Sequence, residues 1–284
     1  MGVGRSYYDK EERVKILPLA LGVALIGASP AHKVLAADSD ATGDERAARW
    51  KTLAESVFGD RKIEPTETLI KLDAPQRAQD AALMPVTLTM PQKHKIKSVY
   101  LVIDDNPSPL AAHFTFGPAA DPGSLQLRVR VDTYTNVHAV AETGDGELFG
   151  TVVFVKASGG CSAPVAATDE EATKGMGEMR MKFTDGAAAG KPVQATLMIR
   201  HPNFNGMQMN QLTRNYTPPR YIDKLSVSYG DSKIFDLEAD ISLSTDPVIT
   251  FSFVPDGKGP LKVVVSDSMN GRWQQNFDMP ETMN

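Results

Sequence analysis

Ile96-Lys97-Ser98-Val99-Tyr100-Leu101-Val102-Ile103, then Asp104-Asp105-Asn106-Pro107 and His113-Phe114-Thr115-Phe116, is the stretch that sets the architecture. β-branched and aromatic residues fill two short runs, and turn formers separate them, so both runs read as strands. The same alternation extends on either side. Leu69 to Leu72 and Met84 to Met90 precede it; Leu125 to Val131, Val137 to Ala141 and Leu148 to Lys156 follow, punctuated by Pro118 to Gly123 and Gly144-Asp145-Gly146. About seven strands in roughly 100 residues predict an immunoglobulin-like sandwich of two antiparallel sheets. Upstream, Trp50, Leu53, Ala54 and Val57 recur at helical spacing, which predicts one amphipathic helix over Glu45 to Phe58, ended by Gly59.

The pattern stops from Ser158 to Gly190, where Gly, Ala, Ser, Thr and charged residues predominate. It resumes at Val193 to Arg200 and runs through Tyr221 to Tyr229, Lys233 to Leu237, Val248 to Val254, Leu261 to Ser266 and Arg272 to Phe277. Turns at Tyr229-Gly230-Asp231, Pro255-Asp256-Gly257 and Asn270-Gly271 separate these runs, so a second small sandwich is expected. The predicted fold class is all-β: two immunoglobulin-like β-sandwich domains, with a short N-terminal helix and a flexible inter-domain arm. Its divisions are a signal peptide at 1–36, a first sandwich at 45–157, a cysteine-bearing arm and linker at 158–190, and a second sandwich at 191–284.

Residues 1–36 read as an export signal. Arg5, Lys10, Arg13 and Lys15 supply a basic start, and Ile16 to Ala28 is apolar but shorter than the roughly 20 residues that span a bilayer. Val34-Leu35-Ala36 places small residues at the spacing of a cleavage site, so cleavage before Ala37 is expected. The alternative is an uncleaved anchor, against which Pro18, Gly22 and Gly27 weigh. The mature chain keeps 25 basic and 32 acidic residues, a net charge near −7. No general basic surface for nucleic acid is expected, nor membrane attachment after signal cleavage. The expected location is the periplasm.

The composition, 42% hydrophobic and 23% charged, is that of a chain that folds. Its single cysteine excludes an intramolecular disulfide framework and any site built on several thiolates. That cysteine lies in Ser158-Gly159-Gly160-Cys161-Ser162-Ala163-Pro164. Two glycines free the backbone there and nothing bulky is adjacent, so an exposed thiol is expected. At about 3.3 Å per extended residue, Lys156 to Cys161 would carry the sulfur about 17 Å from the sandwich edge. Such a reach suits delivery to partners and ill suits an enclosed active site. The nearest histidines in sequence, His138 and His201, lie in no recognisable protease motif, so no enzyme, cofactor or metal is predicted. The plain alternative is an incidental loop cysteine.

Further motifs narrow this. Asn106-Pro107-Ser108-Pro109-Leu110-Ala111-Ala112-His113-Phe114, Thr135-Asn136-Val137-His138-Ala139-Val140-Ala141-Glu142 and Val155 through Gly159-Gly160-Cys161 resemble the SoxY subunit of the thiosulfate-oxidation carrier. Ile199-Arg200-His201-Pro202 and Tyr221 to Tyr229 resemble SoxZ. The chain thus resembles a fused SoxYZ-like sulfur carrier over residues 45 to 280, of the type associated with quinoprotein dehydrogenases in methylotrophic bacteria. The resemblance implies that Cys161 attaches sulfur intermediates covalently, that Gly159 and Gly160 are the hinge of a swinging arm, and that periplasmic sulfur-oxidation enzymes or a quinoprotein dehydrogenase system are the partners. It departs from the family's Gly-Gly-Cys-Gly-Gly ending in having Ser162-Ala163-Pro164, and its arm continues into a second domain. The alternative function is a non-catalytic docking module for a periplasmic quinoprotein dehydrogenase, with Cys161 incidental.

Weaker signals read as structural. Met176, Met179, Met181, Met207 and Met209 could offer soft thioether ligands to Cu(I), but methionine more often fills gaps. Asp104-Asp105 is read as a turn pair bonding to local backbone, His201-Pro202 as closing a strand, and Trp50 and Trp273 as packing residues.

Overall fold

The computed structural model describes residues 42–184, 191–255 and 259–279. The signal segment, its cleavage point before Ala37 and part of the Pro255-Asp256-Gly257 turn lie outside the described residues. The described chain opens with helix α1, Gly43–Phe58. Thr42 caps it, accepting from the Glu45 backbone N–H, while Glu45 reaches back to the Thr42 backbone N–H at 2.7 Å. This reciprocal capping box satisfies donors that the first turn leaves unpaired. Gly59, at φ +66°, ends the helix.

Strands follow in order: β1 Ile63–Pro65, β2 Lys71–Asp73, β3 Met84–Thr89, β4 Ile96–Ile103, β5 Leu110–Phe116, β6 Ser124–Val129, β7 Thr135–Thr143 and β8 Leu148–Val155. A short helix α2, Asp169–Thr173, and strand β9, Met179–Phe183, come next. The second half holds β10 Val193–Ile199, β11 Ile222–Tyr229, β12 Ser232–Ala239, β13 Val248–Phe253, β14 Leu261–Asp267 and β15 Arg272–Phe277. Period-two patterning places them: in β6, Leu125, Leu127 and Val129 are buried while Gln126 and Arg128 are exposed. In β4 the run Val99 to Ile103 is mostly buried on both faces, because α1 covers the sheet's outer side. Phe58 meets Tyr100 edge-on with centroids 5.0 Å apart and packs with Val140 and Leu148. That double burial explains a strand without clean alternation.

The strands form a nine-stranded sheet, β1-β8-β7-β4-β5-β12-β11-β14-β15, and a six-stranded sheet, β2-β3-β6-β13-β10-β9. Both expected sandwiches are present, yet they are not separate bodies on a mobile connection, as the patterning had suggested. β5 of the first pairs antiparallel with β12 of the second, Phe116 opposite Phe235 through Ala112 opposite Ala239. β6 meets β13 at Gln126 and Thr250. Each half ends on strands whose backbone donors and acceptors need partners, and joining the edges satisfies both. The core is continuous across the junction, with Phe114 on Phe235 at 5.5 Å and Phe235 on Phe251 at 5.1 Å between centroids.

The stretch expected to lack pattern is also partly ordered. β9 pairs antiparallel with β10, Met179 opposite Ile199 through Phe183 opposite Ala195. Met179 is buried in the core and Met181 packs against it, so both fill space. No helix among the described residues is long and apolar enough to cross a membrane.

Candidate functional site

Cys161 is fully buried, with no exposed surface, which corrects the expectation of an exposed thiol. The chain beyond β6 continues through Arg130-Val131-Asp132, and the glycine pair lies against it. The Gly159 N–H donates to the Asp132 carbonyl at 2.7 Å and the Gly160 N–H to the Val131 carbonyl at 3.0 Å. Val131 in turn donates to the Ala81 carbonyl at 2.8 Å. Gly159 adopts φ +74°, which favours glycine. Gly160 serves close approach: a Cβ there would stand 2.1 Å from the Ala81 carbonyl oxygen and 2.5 Å from that of Val131. The second half closes over the other side, where Asn205 Nδ2 donates to the Cys161 carbonyl at 2.7 Å. Asn205 is itself fixed by Gln208 Oε1, which accepts from the Asn205 backbone N–H at 2.9 Å. Sequence reasoning missed the dock because its parts, Ala81, Val131 and Asn205, come from three distant segments.

Burial, followed by the Asp132 charge, pushes the thiol up to about 12, and Arg130 opposes this only in part. A docked thiol is therefore almost wholly protonated at neutral pH and is no nucleophile. Replacing Asp132 with Asn is expected to move the pH profile of Cys161 alkylation toward lower pH; an unmoved profile would show that Asp132 does not act on the sulfur.

Arg130 is 1% exposed. Its guanidinium donates to the carbonyls of Gly160 at 3.3 Å, Pro202 at 3.4 Å and Asn203 at 3.5 Å, and makes a close contact to Thr245 Oγ1. It was missed because alternation along β6 assigns it, with Arg128, to the solvent face. Asn106 buttresses the same strand: its Nδ2 donates to the Arg130 carbonyl and to Ser242 Oγ, each at 2.8 Å, and its Oδ1 accepts from the Asp132 N–H at 2.9 Å. The Asn106-Pro107-Ser108 motif is thus a clamp between the halves, completed by Ser108 Oγ donating to Asp240 at 2.6 Å.

The remaining candidates are structural. Asp104 and Asp105 sit at a turn, but their side chains do not serve local backbone as expected. Asp104 is buried against His138 Nε2 at 3.2 Å, and Asp105 pairs with Arg49 of α1 at 3.0 Å. His138 stacks on Trp50 with centroids 3.6 Å apart. These side chains point away from local backbone because α1 covers this part of the sheet. His201 accepts from the Asn203 N–H at Nδ1, 3.1 Å, which leaves Nε2 to face Asp267 at 3.5 Å. Burial holds His201 below its ordinary range, with Asp267 opposing. Trp273 lies edge-on to His201 at 5.8 Å.

Against known families, residues 54–161 match "Sulfur oxidation protein SoxY" and residues 179–278 match "Sulphur oxidation protein SoxZ". The chain is a SoxY domain and a SoxZ domain fused in tandem. Such domains in tandem support a sulfur-oxidation carrier. Among solved structures it is similar to the sulfur carrier protein SoxY from Chlorobium limicola f thiosulfatophilum, at 28% identity over 39% of this chain and 94% of that one, with a TM-score of 0.35. It also resembles a β-glycosidase from Bacteroides vulgatus at 10% identity, over 75% of this chain and 25% of that one, with a TM-score of 0.21. No curated protein matches the chain. In the fused SoxYZ-like chain the SoxY match ends on Cys161, and the SoxZ match begins on Met179, the first residue of β9. The dock combines the two: Ala81 and Val131 lie in the SoxY match, and Asn205 in the SoxZ match.

Proposed function

We propose that this SoxYZ-like chain is a periplasmic carrier that holds sulfur-compound intermediates on Cys161 and presents them to sulfur-oxidation enzymes. The supporting observation is that the chain's one thiol closes the SoxY match and is held in its dock by backbone hydrogen bonds and glycine contact. Bonds of this kind are individually weak, about 0.5–1.5 kcal/mol net, so the segment can leave and return. Since a docked thiol near 12 is inert, loading belongs to the released state. There the Cys161 thiolate attacks a sulfane sulfur of a donor; a new S–S bond forms, the donor's bond breaks, and the leaving group departs with the electron pair. Gly159 and Gly160 act as the hinge, and docking then shields the loaded sulfur. Export follows from the basic and apolar character of residues 1–36.

Intact mass of the protein isolated from the periplasm tests this. The expected result is a chain beginning at Ala37 with an adduct that a reductant removes and that is absent from Cys161→Ser. An unmodified thiol in actively growing cells, with Cys161→Ser fully functional, would instead leave the alternative, a docking module for a quinoprotein dehydrogenase.

A further inference from the structure

The chain that leaves Cys161 is tied down again at Asp169. Helix α2, Asp169–Thr173, lies within residues 162–178, which belong to neither family match. Thr168 caps it, accepting from the Glu171 N–H at 3.1 Å, and its Ala172 is buried. Asp169 Oδ1 accepts from Thr217 Oγ1 at 2.8 Å. Thr217 stands on the same hairpin as Asn205, whose Nδ2 holds the Cys161 carbonyl at 2.7 Å. The two sides of that hairpin meet at Phe204 opposite Arg220 and at Met209 opposite Tyr216. One hairpin of the second domain therefore grips the cysteine segment at two points.

Gln208 joins the two points. Its backbone carbonyl accepts from the Thr217 N–H at 2.9 Å, and its side-chain Oε1 accepts from the Asn205 N–H at 2.9 Å. Asn205 Oδ1 accepts in turn from the Met207 N–H at 2.9 Å, which fixes the amide so that Nδ2 is aimed at the cysteine. Asn205, Gln208 and Thr217 are all buried, so water cannot replace these bonds while the hairpin stays seated. Gln208 Nε2 is buried with no partner among the described residues, and the two bonds that Gln208 accepts offset that cost. A continuous chain of hydrogen bonds thus runs from Asp169 through Thr217, Gln208 and Asn205 to the Cys161 carbonyl, and bonds in such a chain strengthen one another.

We propose that Asp169 and Thr217 are positioning residues for Cys161: neither bonds to the thiol or its carbonyl, and together they seat the hairpin from which Asn205 docks the cysteine. This rests on Cys161 being the delivered group, and it adds that the segment joining the two domains sets how readily that group leaves. When the Asp169 tie opens, the hairpin loses its seat against α2 and Asn205 holds the carbonyl for less of the time. The residues that fuse the two domains thereby act as a second latch on the thiol.

The test is alkylation of Cys161 by iodoacetamide in the full chain, followed by intact mass across a pH series, and its outcome does not depend on whether cells load the thiol. Thr217→Val, which keeps the shape and removes the hydroxyl, and Asp169→Ala are each expected to react about three- to tenfold faster than the unsubstituted chain at neutral pH. Their pH profiles move to lower pH, because the thiol spends more time away from the burial that raises it. Thr217→Ser keeps the hydroxyl and is expected to react within about twofold of the unsubstituted chain. So is Glu170→Ala, which removes an exposed charge from the same first turn of α2 and so controls for loss of helix stability. The double variant Thr217→Val with Asp169→Ala is expected to be less than about twofold faster than the faster single variant, since both changes break one bond. If Thr217→Val does not fold, the comparison of Asp169→Ala with Glu170→Ala decides. Unchanged rates in Thr217→Val and Asp169→Ala, equal acceleration by Glu170→Ala, or effects that multiply in full in the double variant overturn the proposal. An absent adduct in cells would count against the carrier reading and leave this result standing.

Discussion

Gly160→Ala is expected to raise the alkylation rate of Cys161 by iodoacetamide at neutral pH by about 30- to 60-fold. The added methyl would overlap the carbonyl oxygens of Ala81 and Val131, which are backbone atoms with little room to move. Their own hydrogen bonds hold them: Val131 N–H to the Ala81 carbonyl, and Gly160 N–H to the Val131 carbonyl. The cysteine segment therefore lifts out. Release takes the thiol from about 12 toward its ordinary value near 9. The thiolate fraction then rises roughly a thousandfold, and the accompanying loss of intrinsic nucleophilicity cuts the net gain to the range given. Gly159→Ala is the control: nothing crowds its Cβ, so it carries only the left-handed penalty of about 1–2 kcal/mol at φ +74° and gives a smaller rise. Intact mass against time measures both rates. Equal rates in Gly160→Ala and the unsubstituted chain would mean that contact with Ala81 and Val131 does not hold the thiol in.

Asp267→Ala is expected to give the largest loss of stability, about 3–4 kcal/mol, seen as a melting point lower by roughly 6–16 °C. Its carboxylate is fully buried and accepts from Arg220 Nε at 2.6 Å, the Gly271 N–H at 2.7 Å and the Met269 N–H at 3.0 Å, and faces His201. Alanine leaves those donors unpaired in the interior. Arg220 is 28% exposed, so the expected cost lies at the lower end of the range for broken buried pairs. Burial alone would raise the Asp267 carboxyl, but Arg220 and the two backbone donors hold it below its ordinary value. Because the folded value lies below the unfolded one, its contribution is complete above about pH 4 and is lost as pH falls further through the lowered value. The gap in melting point between Asp267→Ala and the unsubstituted chain should therefore close below pH 4. Thermal melts at pH 7 and pH 3 check it; a deficit of under about 2 °C at pH 7 would mean that the cluster is not a keystone. The cluster matters for the site because His201 and Asn203 lead into Asn205, which holds the Cys161 carbonyl.

Much of this was legible locally. The alternation of Leu125, Leu127 and Val129, the helical spacing around Trp50 and the Asn270-Gly271 turn each report an element from its own residues, since a strand or helix buries one face whatever covers it. β9 escaped because its Met179-Arg180-Met181-Lys182-Phe183 alternation is short and sits in a polar stretch.

By itself, the sequence determined the all-β class, the order of the two domains, their Sox kinship and the uniqueness of the thiol. Only the tertiary structure decided whether that thiol is presented or withheld. The clamp from Asn106 to Ser242 spans 136 positions and the Arg130 contact to Thr245 spans 115. Alternation counts the face that a strand turns to its own sheet, and it carries no record of a distant loop laid over the other. For that reason Arg130 reads as exposed and is buried, and Gly159-Gly160, which reads as slack, gives the backbone room to pack close enough to dock Cys161.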